Sequence, residues 1–88
     1  MPSLPATSIT VTNSSADVLQ IVASAPVVWE PAIAATAVGQ TIVSQTNVSP
    51  TEVQITFSGS IAAAAWTVPQ GAGTNYAGGA TAAASGTF

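Results

Sequence analysis

Apolar and polar residues alternate with a period of two over much of this chain, and that spacing predicts β-strands rather than helices. In Ser8-Ile9-Thr10-Val11-Thr12 the alternation is strict, which places Ile9 and Val11 on one face. Asn13 to Asp17 reads as a five-residue turn whose short polar side chains bond to their own backbone. Val18 to Ala25 resumes as a strand, with Leu19, Ile21 and Ala23 on one face and Val18 and Val22 on the other. Apolar residues on both faces predict a strand covered on both sides. Together these two runs make a hairpin.

Pro26 and Pro31 bracket the β-prone Val27-Val28-Trp29, which fits an edge strand or an extended arm. Pro31 to Gly39 is rich in Ala and open to either reading. Gly39-Gln40 marks a turn, Thr41 to Ser44 a strand, and Gln45 to Thr51 a loop with Ser49-Pro50 as its turn signal. The clearest strand is Glu52 to Ser58, with Val53, Ile55 and Phe57 pointing one way and Glu52, Gln54, Thr56 and Ser58 the other. Ile61 to Trp66 fits a helical turn capped by Ser60, because Ala is the best helix former. A strand is preferred there, since Trp66-Thr67-Val68 alternates and Pro69 follows.

From Gln70 the character changes. Residues 70–88 hold five of the seven glycines, and Ala, Thr and Ser make up most of the remainder. Such a stretch gains few contacts of its own, so the expected holder is a neighbouring subunit. Tyr76 and Phe88 are its large side chains and natural anchors. On this reading the chain divides into an N-terminal arm, 1–6, a β domain, 7–69, and a Gly/Ala-rich C-terminal arm, 70–88. The fold class is all-β: a small sandwich or barrel-like domain with two arms. Deletion of residues 70–88 is expected to impair assembly more than folding.

Composition then narrows what such a domain can do. The 88 residues carry three acidic side chains, Asp17, Glu30 and Glu52, and no Lys, Arg, His or Cys. Nothing neutralises phosphates, so backbone-driven nucleic-acid binding and attraction to anionic lipid are both excluded as partners. No ordinary zinc, haem or copper set exists, and no cofactor is expected. Serine–histidine and cysteine–histidine catalysis lack their base. The start of the chain has no basic region followed by an apolar stretch, as a signal peptide would. The longest strictly apolar run, Ile61 to Trp66, is six residues, against the ~20 of a spanning helix.

The residual chemistry is thin. Two carboxylates in principle make a glycosidase pair, but no cation positions substrate or tunes either acid. The bland reading, three solvated carboxylates, is preferred, and no catalytic residue is assigned. Three acids are also few for a calcium cage, even with backbone carbonyls. Asn13-Ser14-Ser15 and Asn47-Val48-Ser49 match the N-glycosylation pattern. With Ser and Thr at 22 of 88 positions, chance alone accounts for such matches. Trp29 reads equally as a core residue and as an interface anchor, whereas Trp66 reads as core. Trp29, Trp66 and Tyr76 could also line a sugar-binding face, without the carboxylate and amide cluster that fixes hydroxyls.

One segment has a familiar cadence. In Ala37-Val38-Gly39-Gln40-Thr41-Ile42-Val43 a glycine precedes a short apolar strand. A polar loop follows, then Glu52-Val53-Gln54-Ile55-Thr56-Phe57-Ser58-Gly59-Ser60-Ile61 ends a strong strand in Phe-Ser-Gly-Ser. This resembles the lambda-type head-decoration proteins of tailed bacteriophages. The resemblance implies a small β-rich protein that trimerises on the capsid exterior and cements it, with an ordered N-terminal arm. Met1 to Ala6, with Pro2 and Pro5, would play that part. The chain is shorter than is typical of that family, and its Gly/Ala-rich end has no counterpart there. The opening hairpin, Ile9 to Ile21, looks equally like that of immunoglobulin-like sandwiches in phage fibres, tails and bacterial surface proteins.

These readings converge on a non-enzymatic assembly subunit. Its partners are copies of itself and a major capsid or other structural protein, and its place is the virion exterior. A fibre, tail or pilus-like filament at a cell surface is the first alternative, and a monomeric carbohydrate-binding module the second. The expected contact residues are Leu4, Val27, Trp29, Tyr76 and Phe88. Joints made by strand pairing need little charge and vary little with salt.

Overall fold

The runs of strictest alternation form the centre of the fold. The structure is a computed structural model that describes residues 7–75 and 78–88. Nine strands are present among the described residues, and no helix: β1 (Ile9–Ser15), β2 (Val18–Ala23), β3 (Val27–Trp29), β4 (Thr36–Ala37), β5 (Ile42–Ser49), β6 (Glu52–Phe57), β7 (Ala65–Val68), β8 (Gly73–Asn75) and β9 (Ala84–Thr87). The protein is all-β.

One antiparallel four-stranded sheet, in the order β1-β2-β6-β5, carries most of the pairing. Its inner face is set by the period of two: Leu19, Ile21 and Ala23 on β2 and Val53, Ile55 and Phe57 on β6 are all buried. Leu19 lies opposite Ile55, and Ile21 opposite Val53. Each such large side chain is worth roughly 1.5–3 kcal/mol when fully buried. A second layer closes the core with two smaller antiparallel sheets, β3-β8 and β4-β7-β9. Val27, Trp29, Ile33, Ala35, Ala37, Val68 and Ala72 from this side join the β2 and β6 residues in one cluster.

Several expectations shift in instructive ways. The first turn contracts to Ala16-Asp17, because β1 continues through Asn13 to Ser15 with a bulge. The Asn13 side-chain amide holds the hairpin by donating to the Val18 carbonyl, 3.0 Å away. β5 runs eight residues, through most of the segment expected to be a loop. Gln45 ties that extension down: Nε2 donates to the Glu30 carbonyl at 2.6 Å, and Oε1 accepts from the Ile33 N–H at 2.8 Å. The ambiguous Pro31–Gly39 stretch opens on a bend at Pro31-Ala32, holds the short strand Thr36–Ala37 and ends in a turn at Val38-Gly39, with Ile33, Ala35 and Ala37 buried and Ala34, Thr36 and Val38 exposed.

Ile61–Ala64 is neither of the alternatives weighed for it. It is a turn, closed by the Ala64 N–H to the Ile61 carbonyl at 2.9 Å, with Ala63 at a φ of 62°. Ser60 Oγ accepts from the Ala62 N–H, so it organises that turn rather than a helix. The strand begins only at Ala65. β2 is not covered on both sides by its own chain: Val18 is half-buried and Val22 is 38% exposed.

The Gly/Ala-rich end departs furthest from its reading as an arm. β8 pairs with β3, and β9 pairs with β7, all within the chain. Thr81, at 0% exposure, is its clamp. Its hydroxyl accepts from the Gly73 N–H at 3.1 Å, its N–H donates to the Gly73 carbonyl at 3.0 Å, and its carbonyl accepts from the Gly71 N–H at 3.0 Å. Thr7 reaches the same place: its carbonyl accepts from the Ala82 N–H at 3.0 Å, and its hydroxyl from the Asn75 side-chain amide at 2.9 Å. Residues 70–75 and 78–88 are thus held by residues of the same chain.

Candidate assembly edges

The residues expected to make contacts with neighbours fall in different places. Leu4 and Tyr76 lie outside the described residues. Val27 is buried in the core. Trp29 is 7% exposed, and its indole N–H donates to the Ser49 carbonyl at 2.8 Å. Both residues therefore serve the interior of this chain, which removes them as contact residues and removes Trp29 from any sugar-binding face. Phe88 is half-buried and stacks on Trp66, with ring centroids 5.4 Å apart and planes 21° from parallel.

The three acids stand on separate elements. Asp17 sits in the β1–β2 turn, where its backbone carbonyl accepts from the Phe57 N–H. Glu30 is exposed beyond β3. Glu52 is half-buried at the start of β6 and accepts from Gln54 Nε2 at 3.3 Å. No group of three metal-ligating side chains occurs among the described residues. An open cleft of about 400 Å³ between the β7 end and the β9 start is lined by Ala34, Thr67, Val68, Pro69 and residues 83–85. That lining holds no titratable side chain, so it offers shape without acid–base chemistry. No helix of the described residues is long and apolar enough to cross a membrane.

Among the described residues, what the fold does present is two bare strand edges. β1 and β5 flank the four-stranded sheet. Main-chain groups in a strand point alternately to the two neighbours, so a few recorded bonds fix the rest. Ser24 N–H donates to the Ser8 carbonyl, which turns Ser8, Thr10 and Thr12 toward β2. The N–H and C=O of Ile9, Val11 and Asn13 therefore face away from the sheet. Ser58 N–H donates to the Thr41 carbonyl, so Thr56 and Gln54 also face β5, opposite Ser44 and Thr46. Gln45 and Asn47 then present their main-chain groups outward.

Neither edge carries a charged side chain: β1 reads Ile-Thr-Val-Thr-Asn-Ser-Ser and β5 reads Ile-Val-Ser-Gln-Thr-Asn-Val-Ser. Proteins that stay monomeric blunt such strands with Lys, Pro, an inward charge or bulges, and of these β1 and β5 carry bulges alone. Here the register of β5 shifts at Val43 and at Val48, and those two valines are 66% and 50% exposed. Ile42 adds a third exposed apolar side chain to the same strand. Of the two glycosylation patterns, Asn13 is engaged within the hairpin, while Asn47 is exposed on the β5 edge.

Sequence reasoning names Ile9 and Val11 as a strand face and Asn13 and Asn47 in glycosylation patterns, but it places none of these, nor Gln45, on a sheet edge. The signal was present as uncharged strand segments without a protecting Lys or Pro. Finding it required knowing which strands end the sheet. Comparison with known proteins gives no match: no family model, no curated protein and no solved structure matches this chain.

Proposed function

We propose that this protein is a non-enzymatic structural assembly subunit, joined to its neighbours by strand addition. The observation that carries this reading is the pair of uncharged edges, β1 and β5, with free main-chain donors and acceptors. Strand addition draws affinity from the main chain and needs no side-chain charge. A chain with three acids and no bases suits such a joint and suits no charge-paired one. Exposed Val22, Val43 and Val48 add apolar area, at about 25 cal/mol per Å² removed from water. Repetition over a lattice multiplies modest contacts through effective concentration.

In its specific form, the proposal is a decoration or cement protein on the exterior of a virion shell, with a major capsid protein as partner. Support for that form comes from the resemblance of residues 37–61 to lambda-type head-decoration proteins. In the fold this segment runs from β4 through the Gly39 turn, at a φ of 82°, into β5 and β6. A filament subunit of a fibre, tail or pilus is the second reading. It is favoured by the position of the two free edges at opposite ends of one sheet, which suits open head-to-tail repetition.

Light scattering on the purified chain tests the shared claim. Masses above the 8.6 kDa monomer, rising with concentration, are expected. A fixed monomer mass at every concentration overturns it.

A further inference from the structure

We infer that the β5 edge of one copy pairs with the β1 edge of a second copy, antiparallel, extending the four-stranded sheet from molecule to molecule. The inference rests on the assembly reading above and specifies its joint.

The strand directions allow it. β1 with β2, β2 with β6, and β6 with β5 are all antiparallel. With four strands alternating in direction, β5 runs opposite to β1 at the far edge. A second copy placed beside β5 in the same orientation therefore brings its β1 in antiparallel, with its buried face on the same side.

The main-chain parity agrees as well. On β1 the outward groups belong to Ile9, Val11 and Asn13, and Val11 lies opposite Ile21 on the inner face. On β5 they belong to Gln45 and Asn47, which lie opposite Ile55 and Val53 on the same inner face. Residues directly opposite in an antiparallel ladder share a face. The free groups of the two edges thus match side for side. A bulge at the wrong place would have broken this agreement. The shifts in β5 fall at Val43 and Val48, outside the stretch that bears the free groups, and the shift in β1 falls after Asn13.

Strand direction, main-chain parity and a shared buried face select a second copy as the occupant, and the placement of the acids does not oppose it. Every copy carries three carboxylates and no side-chain cation, so copies repel wherever acids approach. Asp17 lies in the β1–β2 turn, Glu30 beyond β3 and Glu52 on the inner strand β6, so no acid stands on either edge. A two-fold contact of β5 with β5 would also be antiparallel, but it leaves every β1 edge bare. The β5–β1 contact satisfies both edges of every copy with one kind of joint, and it leaves the ends of a chain of copies open to growth.

Complementary blocking tests this. Val11→Pro removes one of the outward N–H groups of β1, and Asn47→Pro one of the two on β5. Proline is tolerated at such edge positions. Thr12→Lys and Thr46→Lys, both at exposed positions on the same strands, block by charge and decide the matter where a proline variant fails to fold by circular dichroism. Each blocked variant alone is expected to weaken self-association at least tenfold. A one-to-one mixture of a β1-blocked with a β5-blocked variant is expected to give a dimer that stops there. If one variant still dimerises alone while the other is monomeric, the joint is two-fold and the inference is overturned. If all variants assemble like the parent, the edges are not the joint, although assembly stands. A parent chain that is monomeric throughout overturns the assembly reading itself.

Discussion

Trp66 on β7 stands directly opposite Gly86 on β9, and a Cβ added at Gly86 would lie 3.1 Å from the indole Cζ2. Trp29 on β3 stands opposite Gly73 on β8 in the same way. There an added Cβ would lie 2.9 Å from Val27 Cγ2 and 3.2 Å from Trp29 Cε3. Both tryptophans thus spread over glycines of the low-complexity end, and the glycines are there for close approach. Val27 and Trp29 are buried and cannot give way, so Gly73→Ala should cost about 1–3 kcal/mol as an overpacked core. Trp66 is only half-buried and has room to move, so Gly86→Ala should cost less. Urea denaturation of the two variants gives the comparison.

Removing residues 70–88 should unfold the domain rather than only weaken assembly. The deletion takes away β8 and β9, the partners of β3 and β7, together with the Thr81 clamp. It also strips Val27 and Trp29 of their cover. Circular dichroism and thermal melting should show no cooperative transition. A truncated protein that melts cooperatively near the parent's temperature would place this segment outside the core.

Trp29→Phe separates packing from hydrogen bonding at one site. Phenylalanine keeps most of the apolar area but leaves the Ser49 carbonyl without its donor, a loss of about 1 kcal/mol by the net worth of one hydrogen bond. Trp29→Ala opens a cavity as well and should cost about 3–5 kcal/mol. Equilibrium unfolding of both variants checks the ordering.

Salt should leave assembly unchanged or strengthen it. No side-chain cation exists to pair with a carboxylate, so added salt screens only repulsion between copies. Association measured from about 50 mM to about 500 mM NaCl should therefore hold steady or tighten. Weakening over that range would contradict a joint that uses no ion pairs.

The parts of the fold that sequence conveys are those where side-chain volume follows the period of two. Leu19, Ile21, Val53, Ile55 and Phe57 could be placed on their inner faces because each alternates with polar neighbours. Pro26 and Pro31 correctly marked β3 as a strand with one neighbour. The Gly/Ala-rich end was illegible because its order comes from Thr7, Thr81, Val27 and the two tryptophans, most of them distant in sequence. The length of β5 is hidden because Gln45 to Ser49 looks like loop chemistry until Gln45 is seen to hold Glu30 and Ile33. The candidate edges stayed hidden for a topological reason: no residue pattern says which strands lie outermost.

Amide hydrogen exchange along β1 and β5, measured as concentration rises, tests the central claim most directly. Main-chain groups already paired inside the sheet, at Thr10, Thr12, Ser44 and Thr46, should be protected even when dilute. At Ile9, Val11, Asn13, Gln45 and Asn47, protection should appear only on assembly, rising by at least about tenfold. If those five amides exchange as freely exposed groups at every concentration, strand addition at these edges is not how this protein meets its neighbours.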